Sequence, residues 1–277
     1  MTSTVDHPSS LLALDFDGCI ADSVIEALFV TYSAYRRYVN PDTMIFSNRE
    51  PRVTSFSQLV NDYPAQVAAF RRARPYIKDA SDYAAILAAL ERNHVPASAE
   101  DLTAIKATLP ADTLKTYYDA FYAIRTQTKT HNFEAWWRLT PPFPCIHDLR
   151  RLTREYHTLI VTTNSRESIE DLLQPEYLDL AIRPDDIIDL HIHTDKRIQM
   201  DHVVHEYHVD YRDIHFVDDN LSHLTATRAR GVNVYLAGWG YCTQDQITEA
   251  DTELNIPVLT TETAYATLSA ALASPGN

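Results

Sequence analysis

Short apolar runs that stop abruptly at polar residues set the rhythm of this chain. They fall at 11–14, 158–162, 214–217 and 232–236, with a briefer one near 187–191. Runs of this length, rich in leucine and β-branched side chains and bounded by polar clusters, predict buried β-strands. Between them, from Cys145 onward, helices are predicted over 146–155, 167–173, 197–207 and 221–229. Strands alternating with helices imply a parallel sheet with helices on both faces. Residues 24–142 read differently. They contain no glycine, are rich in Ala, Tyr and Arg, and space apolar positions by three and four. Helices are predicted there from a Ser23 cap to about Val39, over 58–72 with an interruption at Pro64, over 81–93 and over 111–126. Pro141, Pro142 and Pro144 then break the chain. The expected fold class is α/β, a doubly wound parallel sheet formed by residues 1–23 and 143–277. After its first strand it is interrupted by a helical insertion, residues 24–142. No repeat or low-complexity segment is evident, and 273–277 are expected to form a disordered tail.

The strand ends carry the candidate chemistry. The run 11–14 leads into Asp15-Phe16-Asp17-Gly18, two carboxylates one residue apart and then a glycine. Alternation along an extended strand would send Asp15 and Asp17 to the same side. Two carboxylates with overlapping fields favour a divalent cation or a raised pKa on one of them, and Gly18 supplies the dihedral freedom of a sharp exit turn. The run 158–162 passes into Thr163-Asn164-Ser165, hydroxyls at a helix start. Lys196 follows the polar stretch 191–195, and the run 214–217 ends in Asp218-Asp219-Asn220. Asp218-Asp219-Asn220 alone would read as a helix cap. Its pairing with the first acid pair favours a metal site.

Acid pair, hydroxyl, lysine and second acid pair, in that order at successive strand ends, make up the motif set of the haloacid dehalogenase-like hydrolases. The chain resembles that superfamily, in the phosphatase branch with a helical cap after the first motif. The resemblance spans the region up to Asp17 and from about 143 to 220. It implies that Asp15 is a nucleophile forming an aspartyl-phosphate. Asp17 would protonate the leaving oxygen and then activate water. Mg2+ would be held by Asp15, the backbone carbonyl of Asp17 and Asp218, with Asp219 beside it at the metal site. Thr163 and the backbone amide of Asn164 would bind the phosphoryl group, and Lys196 would neutralise it. Two registers stay open: Thr162 could replace Thr163, and Arg197 adjoins Lys196.

The resemblance also sorts reactions. Dehalogenases of the superfamily lack the second acid, so Asp17 argues against that chemistry. Phosphonatases need a lysine early in the cap, whereas the first lysine after Asp15 is Lys78. A phosphatase for a small phosphorylated metabolite is the leading reading. A phosphomutase sharing all four motifs is the alternative, and a non-catalytic phospho-acceptor or binding protein lies outside enzymology.

Charge narrows the partners. Lys+Arg total 24 against 38 Asp+Glu, a net charge of −14, which disfavours nucleic acid and anionic membrane. In so acidic a chain the basic segment 71–78 stands out. Arg74 within it is a candidate for binding the remote part of the substrate, because Pro75 should hold Arg74 in extended geometry and turn it out of its helix. Three widely spaced cysteines argue against a disulfide framework or zinc ribbon. Cys19 reads as packing beside the nucleophile. No signal-peptide pattern or membrane-length apolar run is evident, so a cytoplasmic protein is expected. His191, His193, His202, His205 and His208 crowd one region, but His205-Glu206-Tyr207-His208 is one residue short of a zincin motif. These histidines are expected on the outer surface of the core, and Trp136-Trp137 in packing.

Overall fold

The computed structural model describes residues 10–274. The expected tail lies outside them from residue 275 on; Ala273 ends a helix. The chain divides into two compact units, one built from the residues up to Asp22 and from Pro142 on, the other from Ser23–Pro141. It opens with β1 (Leu11–Leu14) and passes into the helical unit, which holds α1 (Val24–Tyr38), α2 (Phe56–Asn61), α3 (Pro64–Ala73), α4 (Ala80–Leu90), α5 (Ala99–Lys106), α6 (Ala111–His131) and α7 (Phe133–Trp137). The α/β unit continues with α8 (Ile146–Glu155), β2 (Thr158–Val161), α9 (Arg166–Ile169), β3 (Ile187–Ile188), α10 (Lys196–Tyr207) and β4 (Ile214–Asp218). It ends with α11 (Leu221–Arg228), β5 (Asn233–Ala237), α12 (Gln244–Thr252), β6 (Val258–Leu259) and α13 (Ala264–Ala273).

All strand pairings in the sheet are parallel, in the order β3-β2-β1-β4-β5-β6. β1 is central: Leu14 pairs with Ile160 of β2 on one side and Val217 of β4 on the other. The chain winds outward from β1 in both directions, so the strand order reverses there. At such a switch point the loops leaving adjacent strands part and open a crevice beyond the carboxyl ends. Leu11, Leu12, Ala13 and Leu14 are all buried, as a strand covered on both faces must be. Leu11 and Ala13 join Met200 and Val203 of α10 and Leu221 and Leu224 of α11 in one apolar cluster. That cluster holds both helices against the sheet.

In the helical unit, Tyr83 is stacked between Phe70 and Phe121, with centroids 5.6 and 5.5 Å away. Glu26, buried on α1, accepts from Arg125 Nε and Nη2 at 2.8 and 2.7 Å and from Trp136 Nε1 at 3.1 Å. Two cap expectations fail here. Ser23 makes no side-chain cap hydrogen bond, its backbone standing at φ −87°, ψ 9° rather than extended. Arg74 is helical, at φ −55°, ψ −38°, not extended. Pro75 follows without penalty because a one-turn 3-10 segment, Arg74–Tyr76, takes over where Pro75 needs no N–H partner, and Ile77 N closes it on the Arg74 carbonyl.

Candidate active site

β1 stops at Leu14, so pleat alternation is not what sets Asp15 and Asp17. The Asp15 amide still bonds the Val217 carbonyl across to β4, at 2.9 Å. Beyond it the chain turns tightly: Ile20 N and Ala21 N both donate to the Phe16 carbonyl, and Gly18 N donates to that of Ala21. Gly18 stands at φ +94°, which only glycine adopts without strain. A Cβ there would also lie 2.2 Å from Asp219 Oδ2. Gly240 meets the same side chain, where a Cβ would lie 2.3 Å from Asp219 Cβ and 2.6 Å from the Gly18 carbonyl oxygen. Asp219 Oδ2 accepts from Tyr241 N at 2.6 Å. Two glycines far apart in sequence thus leave room for one acid. Gly240→Ala should lower the melting temperature, by overpacking worth about 1–3 kcal/mol. An unchanged melting curve would mean that the loop yields freely.

Lys196 is the first residue of α10, with Asp195 as its N-cap accepting from Arg197 N. A cation at a helix N-terminus opposes the helix dipole, so nearby acids must hold it. The residue is buried, 2% exposed, and its ammonium donates to Asp15 Oδ1 at 2.9 Å and to the Val161 carbonyl, and lies 3.8 Å from Asp218 Oδ2. Arg197 is exposed and paired with Asp195, so Lys196 is the basic residue that reaches Asp15.

Ligand atoms of Asp15, Asp218 and Asp219 all lie within 4.8 Å of one another, and all three residues are buried. Three buried carboxylates against one buried ammonium leave negative charge in excess. Burial pushes the Asp15 carboxyl up to about 6, with Asp218 and Asp17 adding to the rise and Lys196 opposing it. Burial alone would lower the Lys196 ammonium, but Asp15 and Asp218 outweigh it and raise its pKa. Burial would raise Asp218; His223, Lys196 and the Asn220 amide outweigh that and hold it low. An all-oxygen donor set with excess negative charge fits a hard divalent cation such as Mg2+.

The remaining candidates fall out as follows. Asp17 is half-buried, and its Oδ2 accepts from Asn164 Nδ2 at 3.1 Å. Thr162 is buried, and its hydroxyl accepts from the Asn164 amide at 3.0 Å, so that amide is not open to a phosphoryl group as expected. Thr163 is exposed. Gln199 Nε2 anchors the turn, donating to the carbonyls of Thr162 and Asp189 at 2.7 and 3.1 Å. Arg74 belongs to the helical unit, half-buried, with its guanidinium over the Tyr83 ring at 5.5 Å. Of the histidines, His191 is exposed, with Nε2 3.7 Å from Glu167 of α9 and 3.9 Å from the buried Asp189. His208 closes α10 in the left-handed conformation, φ +55°. Sequence reading missed His223, whose Nδ1 lies 3.0 Å from Asp218 Oδ2. Its position in the first turn after Asn220 was the available signal.

No family model matches the chain, and no curated protein does. Solved structures do. A haloacid dehalogenase-like family hydrolase from Streptococcus pneumoniae superposes with a TM-score of 0.60 at 13% identity, covering 94% of this chain and 98% of its own. A predicted phosphoglycolate phosphatase from Haemophilus somnus gives 0.61 at 13% identity, covering 94% and 97%. A predicted phosphatase from Clostridium acetobutylicum gives 0.57 at 12% identity, covering 94% and 98%. The chain has the fold of the haloacid dehalogenase-like hydrolases. Among the described residues, no helix is long and apolar enough to cross a membrane.

Proposed function

We propose that this chain is a magnesium-dependent phosphatase that hydrolyses a small organic phosphate monoester through an aspartyl-phosphate on Asp15, with the helical unit as its cap domain. The observation that carries the reading is the buried meeting of Asp15, Asp218, Asp219 and Lys196 at the switch point of the sheet. The names of the structurally similar phosphatases support the substrate class.

Asp15 supplies the attacking oxygen. As its bond to phosphorus forms, the bond to the ester oxygen breaks, and Asp17 gives that oxygen a proton. Asn164 holds the Asp17 carboxyl in place for this. Asp17, now ionised, takes a proton from water, which attacks the phosphorus and frees Asp15. Thr163 and Lys196 donate to the phosphoryl oxygens as charge builds on them. Asp15, Asp218, Asp219 and the Asp17 carbonyl would hold Mg2+, which supplies positive charge that Lys196 alone cannot.

Phosphate release from an aryl phosphate should require Mg2+ and stop with a chelator; release that ignores both would remove the metal from the account. Two variants separate the acids. Asp17→Asn should block turnover while leaving Mg2+ binding largely intact, because that residue would contribute its backbone. Asp218→Ala should raise the Mg2+ concentration for half activity. Titrations in which the two variants show the same metal dependence would contradict this division.

A further inference from the structure

We propose that His223 is a positioning residue for the metal-holding carboxylate Asp218, and that it sets metal affinity through a hydrogen bond rather than by ligation. The proposal rests on the reading of Asp15, Asp218 and Asp219 as the metal site, but not on the substrate assigned to it.

Asp218 ends β4 fully buried, where a carboxylate must be held by donors or lose its charge. Its two oxygens are held by two different groups. Oδ1 accepts from the Asn220 amide at 2.8 Å, and Oδ2 lies 3.0 Å from His223 Nδ1. Lys196, at 3.8 Å from Oδ2, attracts it without a hydrogen bond. The backbone amide fixes one end of the carboxylate, and among the described residues the imidazole is the hydrogen-bond partner that fixes the other. Each carboxylate oxygen has a further lone pair, so both contacts leave Asp218 able to bind a cation.

The histidine is delivered to that place by its own turn. Asn220 caps α11, its Oδ1 accepting from Ser222 N at 3.0 Å and from His223 N at 3.4 Å. Thr227 Oγ1 donates to the His223 carbonyl at 2.9 Å. Strand end, cap and first helical turn thus form one short unit, 218–223, that carries both the ligand and the group orienting it. No His223 nitrogen joins Asp15, Asp218 and Asp219 in the set of atoms lying within 4.8 Å of one another. That separates a donor to the ligand from a ligand. Partners of this kind orient metal ligands, and their loss typically costs about 10–100-fold in metal affinity.

The test uses Mn2+ as a spectroscopic probe in place of Mg2+, with binding followed by electron paramagnetic resonance on the full chain. His223→Ala should weaken Mn2+ binding by about 10–100-fold. His223→Asn, whose amide can place an N–H near the position of Nδ1, should recover most of that loss. Melting curves in chelator should show both variants folded like the wild type. Equal affinity in wild type and His223→Ala, no recovery in His223→Asn, a histidine nitrogen bound directly to Mn2+, or a wild type that binds no Mn2+ would each overturn the proposal. A wild type that binds Mn2+ yet releases phosphate from no monoester would instead overturn the phosphatase reading, leaving the affinity comparison to decide on His223.

Discussion

Asp15→Asn should lower turnover of every phosphate monoester by at least about three orders of magnitude, the scale for losing a covalent nucleophile. The substitution is nearly isosteric, and the amide oxygen can still accept from Lys196, so the loss would be chemical rather than architectural. A stability measurement can separate the two. In the folded protein Asp15 is raised to about 6, above its ordinary value of 3.8. Between those values the unfolded chain releases this proton first, so in chelator the wild type should lose stability as pH rises from about 4 to about 6. Asp15→Asn should lack that part of the slope. A variant that retained near-wild-type turnover would remove Asp15 from the chemistry altogether.

Lys196→Met carries the second large effect. Methionine fills most of the buried path of the lysine stem but brings no charge, leaving Asp15 and Asp218 facing each other without the ammonium 2.9 and 3.8 Å away. Turnover should fall by about 10²–10³-fold, the range for losing one preorganised donor to developing charge. With its main cationic neighbour gone, the Asp15 carboxyl should also titrate higher, so the acid limb of the rate profile should move to higher pH. A lysine that only propped the start of α10 would cost stability and leave that limb in place. The pH profile therefore discriminates where a rate alone would not.

Much of this was legible because the apolar runs are short, continuous and sharply bounded. The strand that leads into Asp15 and the one that ends on Asp218 could be placed from the apolar pattern alone, and their acids followed. What lay beyond Leu236 was not. α12 and β6 are short, and the capping box of Thr243 with Gln246 goes with a weakly periodic segment. α5 was missed for a similar reason: its eight residues follow a good Ser98 cap but bury only Leu102 and Ile105. Local rules also misled. A proline was expected to straighten Arg74, but the chain around it stays helical by tightening into a 3-10 turn. The contacts that arrange the site were out of reach for a different reason. Asn164 and Asp17 are 147 residues apart, and Gly240 meets Asp219 only because β5 lies beside β4. Sequence spacing encodes neither. The acids and the lysine that meet at the strand ends were readable, whereas the residues that hold them in place depend on which strand ends become neighbours.

The most direct test is to trap the covalent intermediate. In the proposed mechanism Asp17→Asn lacks the group that activates water, so a phosphorylated enzyme should outlive its formation. An aryl ester with an acidic phenol as leaving group needs little proton donation, and should still load it. After rapid acid quench in the presence of Mg2+, peptide mass spectrometry should find the phosphate on Asp15, in an amount approaching one per chain. Phosphate on another residue, or a protein that releases phosphate while none is ever found on Asp15, would contradict the account.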